Sequence, residues 1–155
     1  MMNRSLNVFV AILICLSVGL TARWFQGDSL TVWYPTLAKS ELTPSNIIFS
    51  IVWGLLYVCM GCSIGLISDS KKDLKYRMLA LFIVQLVLNF LWSVTFFYLQ
   101  SPLFGLVNIV MLDIVVIWYS ISVYRVSRYS SWVMVPYVIW LLFATYLNFY
   151  IYLFN

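Results

Sequence analysis

Five long apolar segments constrain this sequence more than any other feature. A membrane-spanning helix needs roughly 20 predominantly apolar residues to cross the hydrocarbon layer of a bilayer. Segments of this kind lie at about 6–25, 46–67, 78–99, 103–124 and 131–153. No long repeat and no low-complexity stretch separates them. The sequence therefore predicts an all-α integral membrane protein, with residues 1–155 forming one domain built as a bundle of five transmembrane helices.

The composition excludes a small soluble domain. Hydrophobic residues make up 64% of the 155 residues and charged residues only 9%, whereas soluble domains are nearer to about 45–50% apolar and about 25% charged. A soluble fold of this length could not bury so much apolar surface. The net charge of +4 does not indicate a nucleic-acid partner, because the basic residues are spread over short loops instead of forming one patch. The lipid bilayer is the expected surrounding.

Several kinds of catalytic site are excluded by the absence of histidine from the sequence. Imidazole general bases, Ser-His and Cys-His nucleophile pairs and axial histidine ligation of haem are all impossible. The pair Cys59 and Cys62 has the spacing of half a zinc or redox motif, but it lies inside an apolar helix without a second ligand pair. We interpret both, with Cys15, as packing residues. No metal site and no required cofactor are predicted.

The basic residues of the loops predict the orientation in the membrane. Cytoplasmic loops carry an excess of Lys and Arg. With five spans, one side holds seven such residues and the other side holds Arg23 and Lys39. The seven are Arg4, Lys71, Lys72, Lys75, Arg77, Arg125 and Arg128. We therefore expect the N-terminus inside and the C-terminus outside, in what reads as a bacterial cytoplasmic membrane because no organelle-targeting presequence is visible.

The first apolar segment has a second interpretation. Arg4 followed by an apolar run to Leu20 is also typical of a secretory signal peptide. However, no small-x-small cleavage site precedes Arg23, and a retained first helix is favoured.

The connection at 26–45 is the longest between predicted spans, and it contains Trp33, Tyr34, Lys39 and Pro44. Thr43-Pro44-Ser45 is typical of a turn that leads into a helix, with proline in the first turn. By contrast, Gln100-Ser101-Pro102 is so short that the third and fourth helices must form an antiparallel hairpin. A long loop on one end of a bundle is a natural place for a lid over a pocket.

Polar and aromatic residues follow helical spacing on three of the predicted spans. The second span carries Phe49, Trp53 and Tyr57; the third carries Gln85, Asn89, Trp92, Ser93 and Phe96; the fifth carries Trp132, Pro136, Trp140, Ala144 and Asn148. The fourth has Asp113 near its middle. Lipid cannot satisfy amides or carboxyls, so Gln85, Asn89, Asp113 and Asn148 should face the bundle interior.

These residues divide into two predicted roles. For Asp113 and Gln85 we favour hydrogen bonds between helices, which help assembly. For Trp53, Asn89 and Trp140 the combination of flat aromatic rings and an amide favours the wall of an internal pocket for a flat apolar ligand.

Two further features concern helix packing. Gly61 and Gly65 permit close approach of another helix, within the bundle or across a dimer, and the sequence does not decide between these. Pro136 is expected to kink the fifth span or delay its start and to free a carbonyl toward the bundle.

With these residues in place, the sequence resembles the tryptophan-rich sensory protein family (TspO/MBR), whose animal members are the translocator proteins or peripheral-type benzodiazepine receptors. The resemblance covers nearly the whole chain. It rests on Trp33-Tyr34 with Lys39 and Pro44, and on "VWGLLY" (52–57), "LNFLWSVTFF" (88–97) and "PYVIWLLFATYLN" (136–148), in this order and spacing.

The resemblance implies a five-helix bundle, often dimeric, that binds porphyrins such as protoporphyrin IX and haem, with light- and oxygen-dependent porphyrin breakdown in some bacterial members. By motif match the implied pocket residues are Tyr34, Pro44, Trp53, Tyr57, Asn89, Trp92, Trp140, Ala144 and Leu147. Trp53 and Trp140 match the two tryptophans linked to the photochemistry, and they are the candidate catalytic residues.

The sequence departs from the family pattern in the 26–45 loop and at the C-terminus. Ser40, Leu42 and Ser45 stand where the family commonly has two prolines and a tryptophan, which implies a softer and less aromatic lid. No Lys or Arg follows Tyr150, so the sterol-recognition pattern proposed for animal members is not supported.

Three functions remain open at this point. The first is a porphyrin-binding receptor or sensor, in which Trp53 and Trp140 stack on the macrocycle and Lys39 attracts a propionate. The second is a transporter of porphyrin or another lipophilic molecule, although transporters usually show repeats and broken helices and only Pro136 suggests a break. The third is a membrane scaffold without a ligand.

Overall fold

The computed structural model describes residues 4–68, 70 and 72–155, except for the side chains of Lys72 and Asp73. In this part of the chain all regular structure is helical. Five helices are long and apolar enough to cross a membrane, which confirms the predicted fold class. They are α1 Arg4–Gln26, α2 Asn46–Leu66, α3 Lys72–Trp92, α4 Pro102–Tyr124 and α5 Arg128–Phe154.

The five helices close into a ring in the order α1, α2, α5, α4, α3, with α3 returning to α1. The 26–45 loop, the turn between α3 and α4 and the C-terminus all lie at one end of this ring, here called the loop end. The opposite half is closely packed: Met60 of α2, Tyr119 of α4 and Met134 of α5 are fully buried there. The loop end is therefore the half of the bundle where a ligand cavity is expected.

Helices α1 and α2 pack with their backbones in contact. A Cβ atom on Gly61 would collide with the backbone of Ile12, and one on Gly65 would collide with Cα of Val8. The absence of a side chain at these two positions lets the helices approach this closely. The glycine pair thus serves a contact inside the bundle. From the sequence alone, a contact within the bundle and a contact across a dimer were both open.

Helix α3 changes its winding before it ends. Residues Ser93–Tyr98 form a π-helix, in which Leu99 N–H donates to the Val94 carbonyl oxygen at 2.9 Å. The wider turn places Phe96 and Phe97 both in the interior, although consecutive residues of an α-helix point about 100° apart. The predicted hairpin follows: Gln100 has a φ of 50°, and Ser101 caps the N-terminus of α4.

The start of α2 differs slightly from the prediction. Ser45 is the N-cap, and its hydroxyl oxygen accepts a hydrogen bond from Ile48 N–H. Pro44 therefore lies just before the helix and not in its first turn.

For α5, the expected effect of Pro136 is a kink or a delayed start. The helix begins at Arg128 and continues through Pro136, so its start is not delayed, and the kink stays a prediction. Trp132 is 64% exposed and Pro136 is also exposed, so neither belongs to the interior face. Since these two residues face outward, the inner stripe of α5 passes instead through Met134, Tyr137 and Leu141, all fully buried.

The charge pattern used for the orientation lies partly outside the described residues. Lys71 falls there, as does the side chain of Lys72. The orientation stays a prediction.

Candidate functional site

A cavity of about 170 Å³ lies at the loop end between α1, α2 and the C-terminal part of α3. Residues of the 26–45 loop cover it. Its lining combines aromatic rings, small residues and a few polar side chains: Leu16, Gly19, Leu20, Ala22, Arg23, Gln26, Leu30, Tyr34, Pro44, Asn46, Phe49, Ser50, Trp53, Gly54, Tyr57, Asn89, Trp92, Ser93 and Phe97. This mixture is typical of sites for small organic ligands.

The aromatic wall of the cavity is built around Trp53. Its ring stacks on Trp92, with centroids 5.9 Å apart and planes inclined by 24°. Tyr57, one helical turn along α2, lies 6.2 Å from Trp53, and Phe49 lies one turn in the other direction at 6.2 Å. The predicted stripe of α2 is therefore confirmed, because the i, i+4, i+8 spacing aligns these three rings.

At the inner end of the cavity, Asn89 forms hydrogen bonds through both its amide oxygen and its amide nitrogen. The Tyr57 hydroxyl donates to Asn89 Oδ1 at 2.6 Å, and Asn89 Nδ2 donates to the Tyr137 hydroxyl oxygen at 2.9 Å. All three side chains are buried. The network joins α2, α3 and α5 and fixes the position of the Tyr57 ring.

A second amide fixes Trp92. Its indole N–H donates to Asn148 Oδ1 at 3.0 Å, while Asn148 Nδ2 donates to the Pro102 carbonyl oxygen at 3.0 Å. Beside this bond lies a much smaller cavity of about 20 Å³, to which Ala144 and Leu147 contribute. Trp92, held by this bond, lines both cavities.

The 26–45 loop covers the site mainly with Tyr34. This residue lies in a short 3-10 turn, Tyr34–Thr36, and its ring packs against Phe97 with centroids 5.7 Å apart. Burial raises the pKa of the Tyr34 phenol, so the hydroxyl stays protonated at neutral pH and can serve as a hydrogen-bond donor.

Lys39 does not point into either cavity. Its Nζ donates to the Tyr34 carbonyl oxygen at 3.2 Å and lies 4.7 Å from the centroid of the Tyr34 ring. The ammonium group is therefore engaged within the loop, beside the ring of a residue that lines the cavity. The predicted attraction of a propionate by Lys39 stays a prediction.

Trp140 also lies outside both cavities. Its ring reaches the aromatic wall only through Phe49, with centroids 5.7 Å apart. The indole nitrogens of Trp140 and Trp53 are both buried and have no hydrogen-bond partner within the described part of the chain. Of these two residues, only Trp53 lines a cavity.

The predicted site residues thus fall into three groups. Tyr34, Pro44, Trp53, Tyr57, Asn89 and Trp92 come together around the larger cavity. Ala144 and Leu147 line the smaller one. Lys39 and Trp140 line neither.

Several lining residues were not predicted as site residues. Arg23 and Gln26 lie in the last turn of α1, where a charged or polar residue is usually attributed to the membrane interface. Phe97 lines the cavity in a segment that is wound as a π-helix, and the sequence did not predict this winding. Tyr137, which completes the Asn89 network, lies three residues from Trp140 in the same helix, and spacing alone could not show which of the two faces inward.

The remaining polar predictions have mixed outcomes. Asp113 is buried, and its Oδ2 accepts a hydrogen bond from the Thr145 hydroxyl at 2.7 Å, which confirms a bond between α4 and α5. Gln85 is fully buried as predicted, but neither atom of its amide group has a partner among the described residues. The helix-to-helix hydrogen bond predicted for Gln85 is therefore wrong.

The cysteines fit the packing interpretation. Cys15 is buried, and Cys59 and Cys62 are half-buried, all as free thiols. No cluster of three or more potential metal ligands occurs in residues 4–68, 70 and 72–155.

Comparisons with known proteins agree with this architecture. The TspO/MBR family pattern matches residues 11–153. The chain is 41% identical over 150 residues to the tryptophan-rich protein TspO of Archaeoglobus fulgidus, covering 97% of both chains. It is 38% identical over 151 residues to the protein of the same name from Chlorobaculum tepidum, covering 96% of each. The human translocator protein is 29% identical over 131 residues, which cover 83% of this chain and 77% of the human one.

Proposed function

This chain belongs to the TspO/MBR family of integral membrane proteins, and from that premise we propose that it is a membrane receptor or sensor that binds a porphyrin in the loop-end cavity. The observation that carries the proposal is the wall formed by Trp53, Tyr57 and Trp92. Flat aromatic rings bind a flat apolar macrocycle by stacking and by removing its faces from water.

The side chains of the cavity differ in their roles toward a porphyrin. Trp53 belongs to the lining, and its indole N–H is buried without a partner among the described residues. Asn89 uses its amide oxygen and one of its two N–H groups in the bonds to Tyr57 and Tyr137, which fix the Tyr57 ring. We therefore assign Asn89 a positioning role and Trp53 direct contact with the ligand.

The size of the cavity indicates how the ligand would lie. Pockets that enclose drug-sized ligands measure roughly 300–1,000 Å³, and this one measures about 170 Å³. A porphyrin would insert one edge between Trp53 and α1 and leave the opposite edge outside the bundle. Loop 26–45 would act as the lid over the inserted edge, with Tyr34 above the ring.

Binding is favoured over transport by the packing of the bundle. Below the Asn89 network the interior is filled by Met60, Tyr119 and Met134, each fully buried. A solute crossing the membrane through the bundle would have to displace this packed half.

A light-driven reaction of the bound porphyrin forms the second part of the proposal. The indole of Trp53 would donate an electron to the excited porphyrin, giving an indole radical cation and a porphyrin radical anion. The radical anion would add dioxygen, the oxidant, at a ring carbon, and the adduct would return one electron to the indole. The net change is addition of one dioxygen to the porphyrin, which breaks its conjugation, with Trp53 restored. Trp53 is preferred as the donor because it lines the cavity, whereas Trp140 is separated from it by Phe49. No histidine or metal of the protein takes part in this scheme.

Titration of protoporphyrin IX, in darkness and under illumination, tests both parts. The variants are Trp53→Phe, Trp140→Phe and the exposed control Trp132→Phe. We expect Trp53→Phe to weaken binding about tenfold, by analogy with the loss of about 1–3 kcal/mol when an aromatic stacking partner is removed, and to slow light-driven loss of porphyrin. The other two should resemble the wild type.

Equal affinity in all four proteins would contradict the assigned site. Unchanged porphyrin loss under light in Trp53→Phe, with ligand bound to saturation, would contradict only the photochemical part.

Three further parts of the proposal concern the whole protein in its membrane. We propose a homodimer, the N-terminus inside and the C-terminus outside, and a bacterial cytoplasmic membrane as the location. The loop charges support the orientation, and the resemblance to the family implies the dimer.

A further inference from the structure

The loop-end cavity opens sideways, toward the lipid-facing surface between α1 and α2. Its rim is formed by Leu20 and Arg23 of α1 and by Asn46 and Ser50 of α2, all of them exposed. Beside them, a Cβ atom on Gly54 would meet no heavy atom within 4 Å. The rim is therefore open beside Gly54, and we take it as the place where part of a bound ligand leaves the bundle.

Arg23 is the charged group at this rim. Within the described residues its guanidinium makes no hydrogen bond or ion pair, whereas its neighbour on the rim, Gln26, donates from Nε2 to the Ser93 hydroxyl at 3.2 Å. A guanidinium presents several N–H donors in a planar fork that matches a carboxylate. The other nearby cation, Lys39, is engaged with Tyr34.

We propose that Arg23 binds a carboxylate of the ligand at the α1–α2 rim, so that the cavity selects flat lipophiles carrying an acid group on the edge that stays outside. This inference rests on the porphyrin-binding function proposed above and assigns the acid-binding role to Arg23 instead of Lys39. A neutral lipophile of the same shape would keep the stacking on Trp53 and lose the interaction with Arg23.

The geometry of insertion supports this assignment. Among the described residues that line the cavity, Arg23 is the only charged one, and the polar side chains at the inner end are those of Tyr57 and Asn89. A carboxylate carried inward would lose its hydration without a charged partner, which is strongly unfavourable. The acid edge of the ligand must therefore face outward, and the outward edge passes Arg23.

The test compares protoporphyrin IX, a dicarboxylic acid, with its dimethyl ester, which lacks the charges. Both are titrated by tryptophan quenching against full-length protein in phosphate-free maltoside micelles. The proteins are wild type, Arg23→Gln, Arg23→Lys and Lys39→Gln. Because Arg23 is exposed, we expect Arg23→Gln to raise the Kd of the diacid by about five- to tenfold, within the range for charge-assisted hydrogen bonds after screening.

The ester and the two other variants supply the matched controls. The Kd of the ester should be the same in wild type and Arg23→Gln. Lys39→Gln should change the Kd of diacid and ester by the same factor, because Lys39 contacts Tyr34 and not the carboxylate. Arg23→Lys should recover part of the diacid affinity, since it restores the charge but not the fork. Thermal unfolding of each variant verifies that the fold is retained.

Three results would overturn the assignment to Arg23 while leaving porphyrin binding intact. The first is an unchanged diacid Kd in Arg23→Gln. The second is an equal loss of affinity for diacid and ester in this variant. The third is a loss of diacid affinity in this variant that appears only after phosphatidylglycerol is added. The last result would show that the partner of Arg23 is a lipid phosphate. Wild-type protein that binds neither compound would instead reject the proposed function and this inference with it.

Discussion

Asn89 is the side chain that connects three helices at the inner end of the cavity. Its amide oxygen and nitrogen are both used, by the hydroxyls of Tyr57 and Tyr137. Hydrogen bonds between membrane helices contribute about 0.6 kcal/mol to stability on average, with a maximum of about 1.7 kcal/mol. A short bond in a fully buried network belongs to the upper part of this range, because removing one partner leaves the other unsatisfied.

Tyr57→Phe is therefore expected to lower the free energy of unfolding by about 1 kcal/mol. The change removes one hydroxyl, keeps the ring and leaves Asn89 Oδ1 without its donor. Reversible unfolding in mixed micelles measures the effect. Tyr152→Phe is the matched control, because Tyr152 is exposed on α5.

A double-mutant cycle separates the bond from other effects of the substitution. In an Asn89→Leu background, Tyr57→Phe should cost clearly less than in wild type, since the acceptor is already absent. Equal costs in the two backgrounds would show that the hydroxyl of Tyr57 acts independently of Asn89.

At the residue scale the sequence predicted the site best where helical spacing is regular. Trp53, Tyr57, Asn89 and Trp92 were all predicted by spacing and family motif, and all four line the cavity. Trp140 was predicted by the same reasoning, but the rotation of α5 about its axis places Tyr137 inside instead. That rotation depends on packing against α2 and α4, which a single sequence does not reveal.

At the element scale the tightest contact is between α1 and α2. Gly61 and Gly54 lie on the same helix in contrasting surroundings: a Cβ on the first would meet the backbone of Ile12, and a Cβ on the second would meet open space. A backbone cannot move aside as a flexible side chain can. The same substitution should therefore have opposite effects at the two positions.

We expect Gly61→Ala to destabilise the bundle by about 1–3 kcal/mol, the usual cost of overpacking. Gly54→Ala should be neutral or stabilising by up to about 1 kcal/mol, because alanine has the higher helix propensity. Thermal unfolding of both variants in the same detergent measures the difference. Equal stability of the two variants would contradict the close approach of α1 and α2.

The end of α3 shows what the sequence could not predict at this scale. The span expected over 78–99 is present, but its last turns are π-helical from Ser93. The segment contains Val94, Thr95 and two phenylalanines and no glycine or proline, so nothing in it distinguishes a π-helix from an α-helix. The winding follows from burying Phe96 and Phe97 together beneath Tyr34 and Trp33.

At the scale of the whole molecule, the two halves of the bundle differ in how closely they are packed. The half away from the loop end is closely packed and contains its own polar contacts, such as the Ser63 hydroxyl donating to the Ser130 carbonyl oxygen at 2.9 Å. The loop end contains both cavities. A rigid half below an open half is a suitable arrangement for holding a ligand in fixed orientation while a covering loop adjusts.

The covering loop is attached to α5 at two points. Ala38 N–H donates to Asn155 Oδ1 at 2.9 Å, and the hydroxyls of Ser40 and Tyr146 lie 3.1 Å apart. Ser40 also accepts a hydrogen bond from Leu42 N–H at 3.2 Å. Ser40 is one of the positions that depart from the family pattern, and here it provides an anchor that a proline could not.

Tyr146→Phe removes the Ser40–Tyr146 bond and leaves the turn bond to Leu42 in place. Since such a bond contributes about 0.5–1.5 kcal/mol, local opening of the loop should become about two- to tenfold more frequent. Hydrogen exchange of the backbone amides in 27–43 measures this opening, and dissociation of bound porphyrin should accelerate in parallel. Tyr150→Phe, at the same end of α5, should leave both rates unchanged. Unaltered exchange in Tyr146→Phe would show that the loop is held by its buried rings, chiefly Tyr34, and not by the bond to α5.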